Sequence, residues 1–168
     1  MYHERQSRQM CLVHALNALF QKPQFTSHSL DEICYALNGN RWFNPHRSFF
    51  GLGNYDVNVL LSALDKYDFK VSEGLVRMPV ERIRFENLHA LIVNVPTKSY
   101  FPLWRGRHWY TILRQDDGKF VNLDSKLNQP EEIPDIPEHC RSLLNKSHEG
   151  NQLFLVGKCD PSLFLLPE

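Results

Sequence analysis

Neither sign of charge prevails in this chain, in which 19 basic residues stand against 19 acidic ones. Without an overall positive field to gather a phosphate backbone by counterion release, no nucleic-acid partner is expected. A secretory leader is also lacking. The opening Met1-Tyr2-His3-Glu4-Arg5-Gln6 is polar, where a leader would run from charge into an apolar stretch and a small-residue cleavage site. The expectation is an intracellular chain without a membrane segment, placed in the cytoplasm with the nucleus also open to it. Cysteine is sparse, and the four at positions 11, 34, 140 and 159 are too scattered to read as a disulfide framework. The paired close spacings of a structural zinc site are missing, so the combination of Cys11, His14, His139 and Cys140 is a poor metal set. Gly51-Leu52-Gly53 precedes a helical pattern but lacks a third glycine, the Lys-Ser/Thr pair and a preceding strand, which excludes a phosphate cradle. No internal repeat or low-complexity tract occurs, and neither cofactor nor metal is expected.

What is present suits one soluble domain spanning residues 1–168, expected to be a monomer. Hydrophobic residues make up 42% and charged residues 23%, an ordinary globular balance. Leu12, Ala15, Leu16, Leu19 and Phe20 recur at the spacing of one helical face, with Cys11 at its start. Ser29 with Glu32 reads as a capping box opening a second helix through Ile33, Cys34 and Leu37, stopped at Asn38-Gly39. A third runs from about Asp56 to Leu64, capped by Asn54 or Asp56. Beyond residue 68 short β-rich runs follow: Phe69 to Ser72, Ala90 to Val95, His108 to Arg114, Phe120 to Leu123 and Leu153 to Gly157. A short helix near Glu138 to Leu144 is compatible with the pattern, and Pro96 to Gly106 and Gln129 to Pro137 read as stiff surface loops. Helices first and strands after predict an α+β domain, a helical layer packed on an antiparallel sheet.

Chemistry is best sought at Cys11. A cysteine in the first turn of a helix meets unpaired N–H groups and the positive end of the helix dipole, both favouring thiolate. An arbitrary cysteine is more often a small buried hydrophobe, so its partners decide. His108, opening a strand in Arg107-His108-Trp109-Tyr110, is the base chosen, with Trp109 beside it to exclude water. His14, three residues after Cys11 on the same helix, competes. Asp124 follows on the next strand and would orient the base, subject to parity. A two-residue turn at Asp117-Gly118 pairs Thr111 with Asp124 and places Asp124 and His108 on opposite faces. A three-residue loop, Asp116-Asp117-Gly118 with Gly118 left-handed, pairs Tyr110 with Asp124 and makes His108 its diagonal neighbour. The mechanism needs the second form or an equivalent bulge. It also takes Cys11 as a resting thiolate beside protonated His108.

The opening Tyr2-His3-Glu4-Arg5-Gln6, Cys11-Leu12-Val13-His14-Ala15-Leu16-Asn17, His108-Trp109 and Asn122-Leu123-Asp124-Ser125-Lys126 together resemble the Josephin family of deubiquitinases. Asn44-Pro45-His46-Arg47-Ser48 and Gly51 through Val59 look like the middle of the same domain, and the small stand-alone members are most similar. The resemblance implies a papain-like fold and thiol-dependent hydrolysis of the bond after the C-terminal glycine of ubiquitin, with ubiquitin or ubiquitinated proteins as partners. Carried over by position, it implies Cys11 as nucleophile, His108 as base, Asp124 as orienter and Gln6 as the side chain supporting the oxyanion. One residue more than the family pattern lies between His108 and Asp124, placed in the Asp116 to Gly118 turn. That extra residue motivates a rival, a ubiquitin-binding module or scaffold with its catalytic residues unproductively arranged. A cysteine acyltransferase, using Cys, His and Asp in the same chain order, is the other.

Overall fold

The computed structural model describes residues 1–6, 10–37, 55–74, 78–97, 106–146 and 149–167. The expected stop at Asn38-Gly39, the alternative cap Asn54 and positions 98–105 of the expected loop from Pro96 to Gly106 lie outside these described residues. The elements are α1 (Cys11–Phe20), α2 (Ser27–Leu37), α3 (Val57–Asp65), β1 (Lys70–Gly74), β2 (Ala90–Thr97), β3 (Gly106–Arg114), β4 (Phe120–Asn122), β5 (Glu131–Ile133), α4 (Ile136–Asn145) and β6 (Gln152–Gly157). The strands form one sheet in the order β1-β6-β2-β3-β4-β5, each neighbouring pair antiparallel. The α+β expectation is met.

Side-chain alternation gives the sheet two cores. Ala90, Ile92, Trp109, Leu113, Phe154 and Val156 face α1, α2 and α3. Their neighbours Leu91, Val93, Tyr110, Ile112, Leu153 and Leu155 face the other way, against Cys140 and Leu144 of α4 and against Phe164. The expected helical layer is thus α1 to α3, while α4 covers the opposite face. Among the described residues no helix is long and apolar enough to cross a membrane.

Helix α1 runs through the first core, and every residue from Cys11 to Leu19 is buried. Its apolar stripe predicts burial on one side only. The side bearing His14 and Asn17 is covered by the N-terminal residues 1–6, which lie along it. Asp56 caps α3, its Oδ1 accepting from the N–H of Asn58 (3.0 Å) and Val59 (3.2 Å).

Two readings need correction. Helix α2 begins at Ser27, and its reciprocal cap joins Thr26 and Ser29: Ser29 N–H donates to Thr26 Oγ1 (3.2 Å), and Thr26 N–H to Ser29 Oγ (2.9 Å). The Ser29–Glu32 box therefore falls three residues late. Gln129 to Pro137 is not simply loop, because Glu131–Ile133 forms edge strand β5 on β4 and Asp135 caps α4 by accepting from Glu138 N–H (2.9 Å). Two adjacent exposed glutamates give that strand no apolar alternation to read, and charge on an edge discourages pairing with other chains.

Candidate active site

The β3–β4 hairpin sets the geometry. Arg114 pairs with Phe120, Leu113 with Val121 and Ile112 with Asn122. Gln115 N–H donates to Lys119 C=O (2.7 Å), and Gly118 N–H to Gln115 C=O (2.9 Å). The loop is thus Asp116-Asp117-Gly118, and Gly118 has φ +87°, a left-handed conformation that a side chain disfavours. This is the three-residue form. Continued past Asn122, the register sets Asp124 opposite Tyr110 and diagonal to His108.

His108 Nε2–H donates to Asp124 Oδ1 at 2.7 Å, with His108 3% exposed. Both the side chain and the main chain of Asp124 are held. Lys126 N–H donates to the same Oδ1 (2.9 Å), Asp124 N–H donates to Asn122 Oδ1 (3.0 Å), and Leu127 N–H closes a turn onto Asp124 C=O (2.9 Å). Burial pushes the Asp124 carboxyl up, but the hydrogen bonds from His108 and Lys126 N–H and the charges of both side chains outweigh it, holding the group below its ordinary value. Tyr110 stacks on the His108 ring at 6.0 Å. Its hydroxyl is pushed up by burial and by the Asp124 charge.

Cys11 reaches β3 from the other face. Odd-numbered residues of β3 turn their main-chain groups toward β4, since Leu123 N–H donates to Thr111 C=O (2.9 Å). Because β4 ends at Asn122 and the chain turns away through Asp124, the edge of β3 at Arg107 and Trp109 has no strand beside it among the described residues. The Cys11 sulfur occupies that gap. Its Sγ–H donates to Arg107 C=O (3.7 Å), and Trp109 N–H points at the sulfur, so the thiol lies against the main chain on either side of His108. Thr111 Oγ1 ties β3 to α1 by donating to Ala15 C=O (2.7 Å).

The resting state differs from the thiolate read off the helix tip. Burial pushes the Cys11 thiol up, and this outweighs the N–H groups of Trp109, Leu12 and Cys11 and the charge of Lys126, all of which pull it down. The helix-terminus effect is present, but at 3% exposure desolvation exceeds it. Free Cys11 rests protonated.

Gln6 lies beside the same turn, its N–H donating to Ser125 C=O (2.8 Å). His14 does not serve as a spare base in this arrangement, because its Nδ1 hydrogen-bonds Glu4 Oε2. Trp109 belongs to the core beside the site: it is 1% exposed, and its Nε1–H donates to Tyr55 C=O (3.2 Å). Cys140 on α4 is buried in the core on the opposite face of the sheet from Cys11. Among the described residues no three His, Cys, Asp or Glu side chains converge as a metal ion requires. Two residues that sequence reasoning left without a role now touch this region. His3 Nε2–H donates to Asp124 C=O (3.0 Å), and Glu4 binds α1. Both stand in the opening motif, where only Gln6 had been singled out.

Comparison with known proteins shows the family. A family model described as Josephin matches residues 6–157. A Josephin-like protein of Drosophila melanogaster is 38% identical over 162 residues, covering 93% of this chain and 73% of that protein. Josephin-2 of Homo sapiens is 42% identical over 139 residues, 80% of this chain and 73% of its own length. A Josephin-like protein of Arabidopsis thaliana is 39% identical over 153 residues, 82% of this chain and 42% of the longer relative. With nine-tenths of its length matched and its cysteine, histidine and aspartate gathered at one strand edge, the chain belongs to the Josephin family.

Proposed function

We propose that this chain is a deubiquitinase, a thiol-dependent hydrolase of the isopeptide or peptide bond that follows the C-terminal glycine of ubiquitin. The Josephin family is one of ubiquitin-related cysteine proteases, and ubiquitin or ubiquitinated proteins are the partners that follow. The cytoplasm, with the nucleus also open to it, is the proposed location. One observation carries the reading: the Cys11 sulfur lies against the main chain flanking His108, whose Nε2 is taken by Asp124 at 2.7 Å. That leaves His108 Nδ1 as the ring nitrogen to face a thiol.

In this mechanism His108 Nδ1 takes the Cys11 proton as the sulfur attacks the scissile carbonyl, with general-base help fitting a thiol that rests protonated. Asp124 fixes the ring and stabilises the imidazolium. The oxyanion is held by the Cys11 N–H and the Gln6 side-chain amide, each such donor worth about 3 kcal/mol of barrier. The proton on His108 passes to the leaving lysine amine, leaving a thioester. Water, deprotonated by His108, then cleaves the thioester, releasing the ubiquitin carboxylate and restoring the thiol.

The second reading, a ubiquitin-binding module with little turnover, is favoured by the burial of Cys11, whose 3% exposure leaves little of the residue open to an incoming carbonyl. A ubiquitin probe bearing a C-terminal electrophile separates the two. Modification at Cys11, loss of that modification in Cys11→Ala, and release of free ubiquitin from a conjugate with no acceptor amine supplied are expected. An unmodified wild-type chain that still binds ubiquitin would establish the module, and cleavage that needs an added amine an acyltransferase.

A further inference from the structure

Residues 2–6 connect pieces of the site that no secondary-structure element joins. Gln21 at the end of α1 grips Tyr2 on both main-chain groups: Tyr2 N–H donates to Gln21 Oε1 (2.8 Å), and Gln21 Nε2–H donates to Tyr2 C=O (3.2 Å). Glu4 then receives His14 Nδ1 and the Tyr2 hydroxyl, and Asn17 Nδ2–H donates to its Oε1 (3.2 Å). Asn17 is 2% exposed and completes its own valences on Phe25, donating to its C=O (3.1 Å) and accepting from its N–H (2.7 Å). The carboxylate is therefore fixed to a part of α1 that cannot yield cheaply. On either side of Glu4 the strap turns to the other half of the site, His3 onto Asp124 C=O and Gln6 N–H onto Ser125 C=O.

We infer that Glu4 is a positioning residue for the proposed reaction: by clamping the N-terminal strap to α1, the helix that carries Cys11, it sets the place of Gln6 beside the turn that carries Asp124. The inference rests on the reading of Cys11 and Gln6 given above. His14 and Asn17 are the α1 half of the clamp, which gives the histidine beside the nucleophile a task other than proton transfer. Burial pushes the Glu4 carboxyl up, but hydrogen bonds from Tyr2, His14 and Asn17 together hold it below its ordinary value, so the clamp is a carboxylate at neutral pH. A small displacement of a donor from the oxyanion position lowers rate without touching substrate affinity.

The test is a double-mutant cycle between Glu4→Gln and Gln6→Ala, read on a fluorogenic ubiquitin C-terminal amide. Glu4→Gln alone is expected to lower kcat by about 10-fold or more and leave KM within about twofold. In the Gln6→Ala background it should cost nothing further, because the group it positions is gone. Tyr2→Phe, which removes one of the bonds to Glu4 and is expected to fold, should lower kcat less, in the same direction, and equally without effect on Gln6→Ala. Multiplicative losses in the double variants, a loss carried by KM, or full activity of Glu4→Gln and Tyr2→Phe would each overturn the inference. A different outcome, Gln6→Ala at the wild-type rate or Cys11→Ala still turning over, would instead remove the reading of the site on which the inference stands.

Discussion

At the scale of single residues, the pair formed by His108 and Asp124 ties chemistry to stability. Asp124 is held below its ordinary value, so its folded-state pKa lies under that of the unfolded chain, about 3.9 for a free aspartate. A carboxylate of this kind contributes stability that is complete above the unfolded value and disappears as pH falls through the folded one. Urea unfolding should therefore show the wild type losing stability on acidification below about pH 4 more steeply than Asp124→Asn, which has no proton to gain there. The same substitution should lower kcat by roughly 10²–10⁴-fold, since an amide can no longer stabilise the imidazolium. Equal acid sensitivity in both proteins would show that the ionised Asp124 does not hold the turn. The residues of this pair were legible in the sequence. What was not legible was the protonation of Cys11, because a helix tip is a local feature whereas desolvation depends on how α1, β3 and residues 1–6 close over the sulfur.

At the scale of elements, the hairpin register decides whether those residues meet. Lys119 N–H donates to Asp117 Oδ1 (3.0 Å) and Gly118 takes the left-handed position, so the turn's own chemistry selects the three-residue loop. Deleting Asp117 leaves Gln115 opposite Lys119 around Asp116-Gly118, a sequence well suited to a two-residue turn, so β4 keeps its place on β3 and Asp124 stays diagonal to His108. Such a chain should fold, as judged by circular dichroism and a cooperative urea transition, and keep turnover far above that of Asp124→Ala. Turnover at the level of Asp124→Ala would mean that the loop itself, and not the pairing of Gln115 with Lys119, sets the site. Parity reasoning stated in advance which register the site needs, because side chains alternate strictly along a strand, but left the choice between the two loops open. Strand β5 offered no such handle: it is three residues long, Glu131 and Glu132 are exposed, and its pairing to β4 has no apolar alternation behind it. The start of α2 was misplaced because Thr26, Ser27 and Ser29 are all plausible caps, and only their hydrogen bonds distinguish them.

At the scale of the whole molecule, distance across the sheet separates stability from chemistry. The chain's last described segment folds back on the β1–β6 end of the sheet, where Phe164 is fully buried and Gly157 leaves room for its ring: a Cβ on Gly157 would come within 2.6 Å of it. Main-chain bonds fasten this closure, Arg84 N–H to Phe164 C=O (3.0 Å) and Leu166 N–H to Arg82 C=O (2.9 Å). Cys11, His108 and Asp124 gather instead on β3 and at the end of β4, two strands from β6. Phe164→Ala should accordingly cost about 3–5 kcal/mol through the cavity it leaves. For a domain of this size that is a fall of roughly 10 °C or more in Tm. At 25 °C, on the fraction that remains folded, kcat should stay within about twofold of wild type. Gly157→Ala should destabilise in the same direction by overpacking the site that Phe164 fills, by about 1–3 kcal/mol. In combination with Phe164→Ala it should cost less than it does alone, because the ring it collides with has gone. Calorimetry on the four proteins, with turnover measured below each transition, tests both halves of the claim. Loss of kcat in fully folded Phe164→Ala would mean that the sheet transmits strain from its C-terminal closure to the β3 edge, making closure and site one mechanical unit.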